Sequence, residues 1–360
     1  MTNVIQLDAE QRHAGLDFQA LPLDALDVSQ RSAIGSLAAQ SDSAHPLQTA
    51  AFTRFAQASS AEPFVILATD TKGLLGYWFG FFETERNRPR WLFKQVMRSG
   101  PVLRPGLQPA PERSLLSTFV LRAEDHGVAT GATRIVVTSE TGYGARLDGT
   151  MLELGYAHEA AWATYVCDLT RPIDSIWDGL DGKVKRSIKT SERRGVTVSV
   201  SNDSSDLNAF AALLGTTLRA GGMPVPLATD YAARCIAMAN AGFAYAIIAR
   251  CEDRVVGGKL EIAAGDAVLS FHTAAEKSNL RCGDLLAWKE IEIAHARGYR
   301  SLDLLSVDLA TETDPKQEGI RSFKAKWGGD LIETPVYTRR LPVRGARGAV
   351  VRLARLFRGT

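Results

Sequence analysis

Several places in this 360-residue chain carry residue types that can do chemistry. Asp303 lies in Ser301–Ser306, a run that reads as a strand. A carboxylate there can orient an amine or receive its proton, and it serves equally well as a turn or cap residue. Upstream, Asn279-Leu280-Arg281-Cys282-Gly283-Asp284 precedes a segment with helical spacing. A helix N-terminus offers free N–H groups to an anion. Gly283 permits close approach and Arg281 supplies a cation, whereas Asp284 opposes an anion and suits an ordinary cap. Lys183, Lys185, Arg186, Lys189, Arg193 and Arg194 form a basic run opposed only by Glu192. Such a run grips an anionic ligand or forms a solvated helix face. Lys324 and Lys326 flank Ala325 in GIRSFKAKWGG, where Lys324 alone reads as a solvent-facing helix lysine and Phe323 as core packing. His272 in LSFHTAA titrates near neutrality but reads first as a buried histidine. Cys282 has no sequence-adjacent histidine or acid to activate it.

Composition bounds what these residues can serve. The chain is 45% hydrophobic and 23% charged, ordinary for a globular protein of about two domains. Lys and Arg total 42, Asp and Glu 40, and the resulting charge of +2 excludes a protein that coats nucleic acid. No apolar run approaches the roughly 18 residues of a membrane span. MTNVIQLDAEQRHAGLDF lacks the basic start and apolar core of a signal peptide. Cys167, Cys235, Cys251 and Cys282 lie far apart, with no metal-type pairing, and a reducing cytoplasm is the expected compartment. The charge is uneven. Thr334–Thr360 contains seven arginines and no acid, which leaves a mildly acidic body. Within it, AVVRLARLF places Arg352, Arg355 and Arg358 on one helical side, so 349–358 is a candidate for contact with the inner leaflet of a membrane. A frayed terminus or a helix packed on the body accounts for the same pattern.

The elements that must position these residues read as one pattern written twice. In the second half, Ile173–Arg194 is mostly helical, Val196–Val200 alternates as a strand, and Asp206–Arg219 and Thr229–Asn240 are helices. Phe243–Arg250, Val255–Ala263 and Ala267–Thr273 follow as strands, the last two split by a tight Ala264–Asp266 turn. Then come helix Gly283–Arg297, strand Ser301–Ser306, helix Gln317–Trp327 and strand Leu331–Thr338. The first half gives helices Ser29–Ala39 and Leu47–Gln57, strands Phe64–Ala68, Leu74–Phe82 and Arg90–Met97, a helix within Pro111–Gly127, strand Arg134–Thr138, helix Gly144–Leu154 and strand Ala160–Asp168. The expected class is α/β (α+β, with mixed sheets), as two tandem domains related by internal duplication. The expected limits are 1–168, 169–340 and a basic tail at 341–360. This order resembles the GNAT acyltransferase fold.

Three ordered segments sharpen the resemblance. YVCDLTRPIDSIWDGLDGKVKRSIKTSERRGVTVSV (Tyr165–Val200), GDLLAWKEIEIAHARGYRSLD (Gly283–Asp303) and GIRSFKAKWGGDLIE (Gly319–Glu333) resemble the junction, third helix and C-terminal signature of the FemAB/FemX-related double-GNAT acyltransferases. HPLQTAAF at His45–Phe52 and SGPV at Ser99–Val102 fit the first-half motifs. The resemblance implies N-acyl transfer to an amine, often on a cell-envelope precursor. It implies Lys324 near the transferred carbonyl, able to stabilise an oxyanion or phosphate. Asp303 is expected in catalysis, and Arg281, Cys282, Gly283 and Asp284 at the donor. Lys183, Lys185, Arg186, Phe323 and Gln48 are expected at the substrate, with Trp78, Arg98 and Ser99 also candidates for an acceptor cleft. Acyl-CoA is favoured over aminoacyl-tRNA as the donor substrate, because no long charged heptad insertion is present. No bound cofactor or metal is expected. The family's glycine pair after the Asp-bearing strand is missing, since Asp303 is followed by Leu304, Leu305 and Ser306. A degenerate, non-catalytic scaffold at the membrane is the competing class.

Overall fold

The computed structural model describes residues 16–41, 45–50, 52, 62–84, 93–139, 144–160, 162–220, 228–309 and 315–342. The proposed membrane segment at 349–358 lies outside them. Two mixed sheets dominate. The first contains β1 (Asp17–Pro22), β2 (Glu62–Asp70), β3 (Gly73–Thr84), β4 (Phe93–Arg98), β5 (Val102–Leu103), β6 (Arg134–Thr138), β7 (Ala157–Ala160) and β15 (Val336–Arg340). The second contains β8 (Trp162–Asp168), β9 (Val196–Val200), β10 (Ala244–Cys251), β11 (Arg254–Ala264), β12 (Ala267–Ala275), β13 (Ser301–Asp308) and β14 (Asp330–Glu333).

The two sheets have the same plan. The first runs β1-β2-β3-β4-β6-β15-β7 and the second β9-β10-β11-β12-β13-β8-β14. In each, four antiparallel strands lead to one parallel pair, β4–β6 or β12–β13. The strand beyond that pair is exchanged. β8 follows the first half's last strand in sequence but lies in the second sheet, and β15 returns from the second half to lie between β6 and β7. Limits at 168 and 340 therefore do not coincide with the sheets. Ala160–Asp168 and Leu331–Thr338, each read as one strand, are each two elements placed in different sheets.

Helices cover the second sheet on both faces. On one face lie α4 (Ile173–Gly179), α5 (Gly182–Arg193) and α8 (Cys282–Ala296), with Val184, Ile188, Leu285, Leu286 and Ile291 in the core. On the other lie α6 (Ser204–Ala220) and α7 (Ala228–Asn240), with Phe210, Leu214 and Tyr231. Gly257 and Gly258 on β11 let both layers approach. A Cβ at Gly257 would meet Leu286 at 2.8 Å, and one at Gly258 would meet Phe210 at 2.7 Å. In the first half, α1 (Val28–Gln40) packs over one face of the sheet, while α2 (Pro109–Thr130) and α3 (Gly144–Glu153) cover the core that contains Trp78, Phe119 and Leu147. Asp206, where the sequence starts the helix, lies inside α6, and its carboxylate accepts bonds from Ser201 and Arg250. Leu47 and Phe52, from the first half, join the core of the second.

Candidate active site

The parallel pairs of the two sheets differ, and the difference locates the site. β4 and β6 pair from Lys94–Arg134 to Arg98–Thr138, the whole length of β6. β12 and β13 pair only at Ala267–Ser301, Val268–Leu302 and Leu269–Asp303. Beyond Asp303 the remaining five residues of β13 have no ladder partner on β12. The second sheet thus opens into a wedge with Asp303 at its apex.

β13 is irregular immediately past the apex. Its register against β8 shifts between Asp303 and Ser306, and Leu305 is left-handed with φ 65. That conformation costs a non-glycine residue about 1–2 kcal/mol. The missing glycine after Asp303 is thus replaced by a leucine in a glycine-like conformation, with its side chain packed against the shared core of Leu47, Phe210 and Leu269. The bend aims the Leu305 N–H at Asp303 Oδ1, at 2.7 Å. It also presents the carbonyls of Leu305 and Ser306 to Lys324 Nζ, at 2.8 and 3.1 Å.

Asp303 is buried, and Thr164 on β8 donates to its Oδ1. His45 Nε2 lies 3.5 Å from Oδ2. Burial works against ionisation, but the adjacent His45 side chain, with Thr164 and the Leu305 N–H, holds the carboxyl below its ordinary range. Lys324 follows in α9 (Pro315–Ala325). Burial lowers it to about 8 against the opposing pull of Asp303, with Lys259 adding to the depression and Glu290 opposing it. This lysine is therefore anchored and half-buried, rather than solvent-facing. Beneath the wedge, Lys259 pairs with the fully buried Glu290, and burial together with Glu290 pushes the carboxyl of Glu261 well up.

Gln48 is buried in the 3-10 turn Pro46–Gln48, where sequence spacing suggests a longer helix, and its amide donates to the carbonyls of Ser99 and Gly100 at 2.9 and 2.5 Å. The turn is capped by His45, and Ser99 Oγ lies 3.4 Å from His45 Nδ1. The first half thus brings Gln48, His45 and Ser99 to the rim of Asp303. Trp78 is buried in the first-half core and lines no cleft, and the Arg98 side chain lies outside the described residues. His45 was missed in sequence reading. Its signal was HPLQ, a proline-started turn with a histidine cap, but nothing in that motif indicates a partner on β13.

At the start of α8, Arg281 occupies the cap position in the left-handed region with φ 54, and no side chain caps the helix. Gly283 has open space where a Cβ would stand. Asp284 is paired with Lys326, which offsets the charge that would repel an anion there. The side chain of Cys282 is withdrawn: the thiol is buried, donates to the Val256 carbonyl at 3.5 Å, and is pushed up by burial. Only the Cys282 backbone remains for an anion. Lys326 Nζ also lies 4.2 Å from the centre of the Phe323 ring, which packs edge-on to the buried Trp327. Phe323 therefore belongs to the second half's core margin.

Lys183 and Arg186 are exposed on α5, whose Val184, Ser187, Ile188 and Ser191 face inward. Lys185 Nζ donates to the Asp178 carbonyl at 3.1 Å and lies 5.7 Å from the Trp177 ring centre. Among the described residues no contact joins these three cations to Asp303 or Lys324. His272 is lowered to about 4 by burial and meets the Tyr231 hydroxyl at 2.6 Å, so it is neutral near pH 7. Among the described residues no cluster of His, Cys, Asp and Glu suits a metal, and no helix is long and apolar enough to cross a membrane.

The second sheet thus opens into a wedge beside the uncapped N-terminus of α8. Residues 181–312, within the second half, match the family described as Acetyltransferase (GNAT) domain. The chain as a whole has the double fold of FemX, with a TM-score of 0.72 at 13% identity over 90% of this chain and 98% of that one. It is also similar to a tandem GNAT protein from the clavulanic acid biosynthesis pathway (TM-score 0.57, 13% identity, 90% and 98% of the two chains). L-PGS from Bacillus licheniformis aligns with a TM-score of 0.57 at 14% identity, over 92% and 96%. No curated protein sequence matches the chain.

Proposed function

We propose that this chain is an N-acyltransferase that moves an acyl group from acyl-CoA to an amine on a cell-envelope, sugar or peptide precursor. The observation that carries this reading is the wedge that opens at Asp303 in the second sheet and is paired shut in the first. Unpaired strand edges satisfy their N–H and C=O groups with an added extended chain. The amide-bearing arm of coenzyme A is such a chain. Its diphosphate then meets the free N–H groups of α8, where Gly283 leaves room.

The amine nitrogen attacks the thioester carbonyl, the C–S bond breaks, and the thiolate leaves. Lys324, a cation held beside the apex, stabilises the oxyanion that develops on the carbonyl oxygen. Asp303, kept ionised, accepts a hydrogen bond from the neutral incoming amine and takes the proton that its nitrogen sheds once it has bonded to carbon. The first half carries Gln48 and His45 to the same place and supplies the wall against which the acceptor is held. The fold shared with FemX and L-PGS favours an acceptor tied to the cell envelope, and the basic segment 349–358 is suited to hold the enzyme at the inner leaflet there.

The test is thermal stabilisation by acetyl-CoA, longer acyl-CoAs, free CoA and charged tRNA, on the wild type and on Lys324→Ala. A ligand that binds only the folded state raises Tm. Stabilisation by CoA esters is expected, with thioester consumption when amine acceptors are added. Stabilisation by charged tRNA alone would replace the donor assignment, and silence from the whole panel would favour the scaffold.

A further inference from the structure

His45 takes no part in the bond-making step described above, yet its ring is held at Nδ1, and its buried Nε2 has no hydrogen-bond partner other than the Asp303 carboxylate that it faces. The ring is 5% exposed. Nδ1 accepts the Leu47 N–H at 3.3 Å and lies 3.4 Å from Ser99 Oγ. An acceptor role at Nδ1 puts the neutral ring's proton on Nε2, the nitrogen 3.5 Å from Asp303 Oδ2. The His45 backbone N–H donates to Gln48 Oε1 at 2.6 Å, and Gln48 in turn grips the carbonyls of Ser99 and Gly100. Ser99 and Gly100 are both left-handed, with φ 61 and 70. Strained backbone of this kind persists where surrounding contacts over-determine it. Here those contacts hold one imidazole against one carboxylate of the other half.

We propose that His45 is the positioning residue for Asp303: its Nε2–H holds the carboxylate at the apex of the wedge, so docking of the first half completes the second half's site. This rests on the N-acyl-transfer reading. The lowered carboxyl of Asp303, with His45 the chief opponent of its burial, agrees with it. Among the described residues, Cys167 on β8 and Lys259 and Glu290 of the second half also act on Asp303 or on Lys324 beside it.

Two substitutions separate the cap from the contact. His45→Asn retains an acceptor for the Leu47 N–H but has no atom at the Nε2 place. His45→Gln puts a neutral donor near that place. We expect His45→Asn to lower kcat about tenfold or more, with KM for acyl-CoA within about twofold, and to move the acid limb of the kcat/KM profile to higher pH as the carboxyl loses its donor. His45→Gln should recover a large part of kcat. A fall in Tm for both variants with the shape of the pH profile unchanged would overturn the proposal, as would wild-type kcat in His45→Asn. A second readout needs no activity: the carboxyl carbon of Asp303, assigned by Asp303→Asn, titrated by NMR in wild type and His45→Asn. An upward move supports the contact even where no donor is turned over, in which case the acyl-transfer reading alone fails. An unmoved titration overturns the proposal whatever the activity.

Discussion

Lys324 Nζ lies 2.8 Å from the carbonyl oxygen of Leu305, a leucine held in the left-handed region just past the apex of the wedge. The bend that carries this strain also turns the Leu305 N–H toward Asp303. One irregularity in β13 therefore anchors the cation and the anion of the site together. A regular strand would point successive carbonyls to opposite edges and could not offer two to one ammonium.

The lysine should set the alkaline limit of activity. Burial lowers Lys324 to about 8. The cation that stabilises an oxyanion is present below that pH and lost above it, so kcat/KM should fall as pH rises through about 8. Lys324→Arg should carry this limb out of the measurable range. Lys324→Met should lower kcat about 100- to 1,000-fold. The stability effect has its own sign. Because the folded value lies below the unfolded one, the unfolded chain binds more protons between about 8 and 10.5, so this group's contribution to stability rises with pH across that window. Urea unfolding of wild type and Lys324→Met, followed from pH 7 to 10, checks it. The wild type should gain stability relative to Lys324→Met as pH rises.

The Asp284–Lys326 pair should govern donor binding rather than folding. Both groups are partly accessible, and their pairing contributes little to stability, about 1 kcal/mol or less. Lys326→Met leaves Asp284 uncompensated beside the helix N-terminus, where it repels a diphosphate. CoA affinity should drop severalfold, and Asp284→Asn in the same chain should restore it. Calorimetry on the two single variants and the double variant gives the coupling. Additive effects would place the diphosphate elsewhere.

The buried acids under the sheet should respond in opposite ways. Glu261 is fully buried, and its carboxyl is pushed well up by burial and by Glu290. Its ionisation is disfavoured there, and Glu261→Gln supplies an isostere that cannot ionise. The cost should stay within about 1 kcal/mol. Glu290→Gln strands the Lys259 ammonium, and breaking a buried pair in this way costs about 3–5 kcal/mol. Denaturant midpoints at pH 7 separate the two. A raised folded value also means that the contribution of Glu261 declines as pH rises above its unfolded value of 4.5.

Local pattern carried much of this. The strand Val196–Val200, the turn at Gly265 between β11 and β12, and helix α8 fall where alternation, turn chemistry and periodicity put them. Asp303 and Lys324 could be named as candidates because each sits in a short motif of its own half. What escaped was relational. His45 is defined as a site residue only by Asp303, far along the chain, and nothing in a local pattern encodes that distance. Leu305 was unreadable for a related reason: it takes a backbone conformation that leucine itself disfavours, at a bend where it packs on the second half's core. The exchanged strands were hidden because a single residue separates β7 from β8, so the two read as one run.

That exchange makes a last prediction. β15 pairs with β6 and β7 and buries Tyr337 and Leu341 in the first-half core, while β8 pairs with β13 and β14 and buries Ala163 and Cys167 in the second. Each half therefore lacks an interior strand unless the other is present. Separate tandem domains would unfold in two steps. Here, loss of either half strips the other of a strand, and the energies become common to both. A single urea transition is expected, with circular dichroism and tryptophan fluorescence coincident. Chains cut at 168 should fail to fold when expressed apart and should recover structure when co-expressed. Two resolved transitions, or a stable fragment 1–168, would mean that the exchanged strands are dispensable to the sheets that hold them.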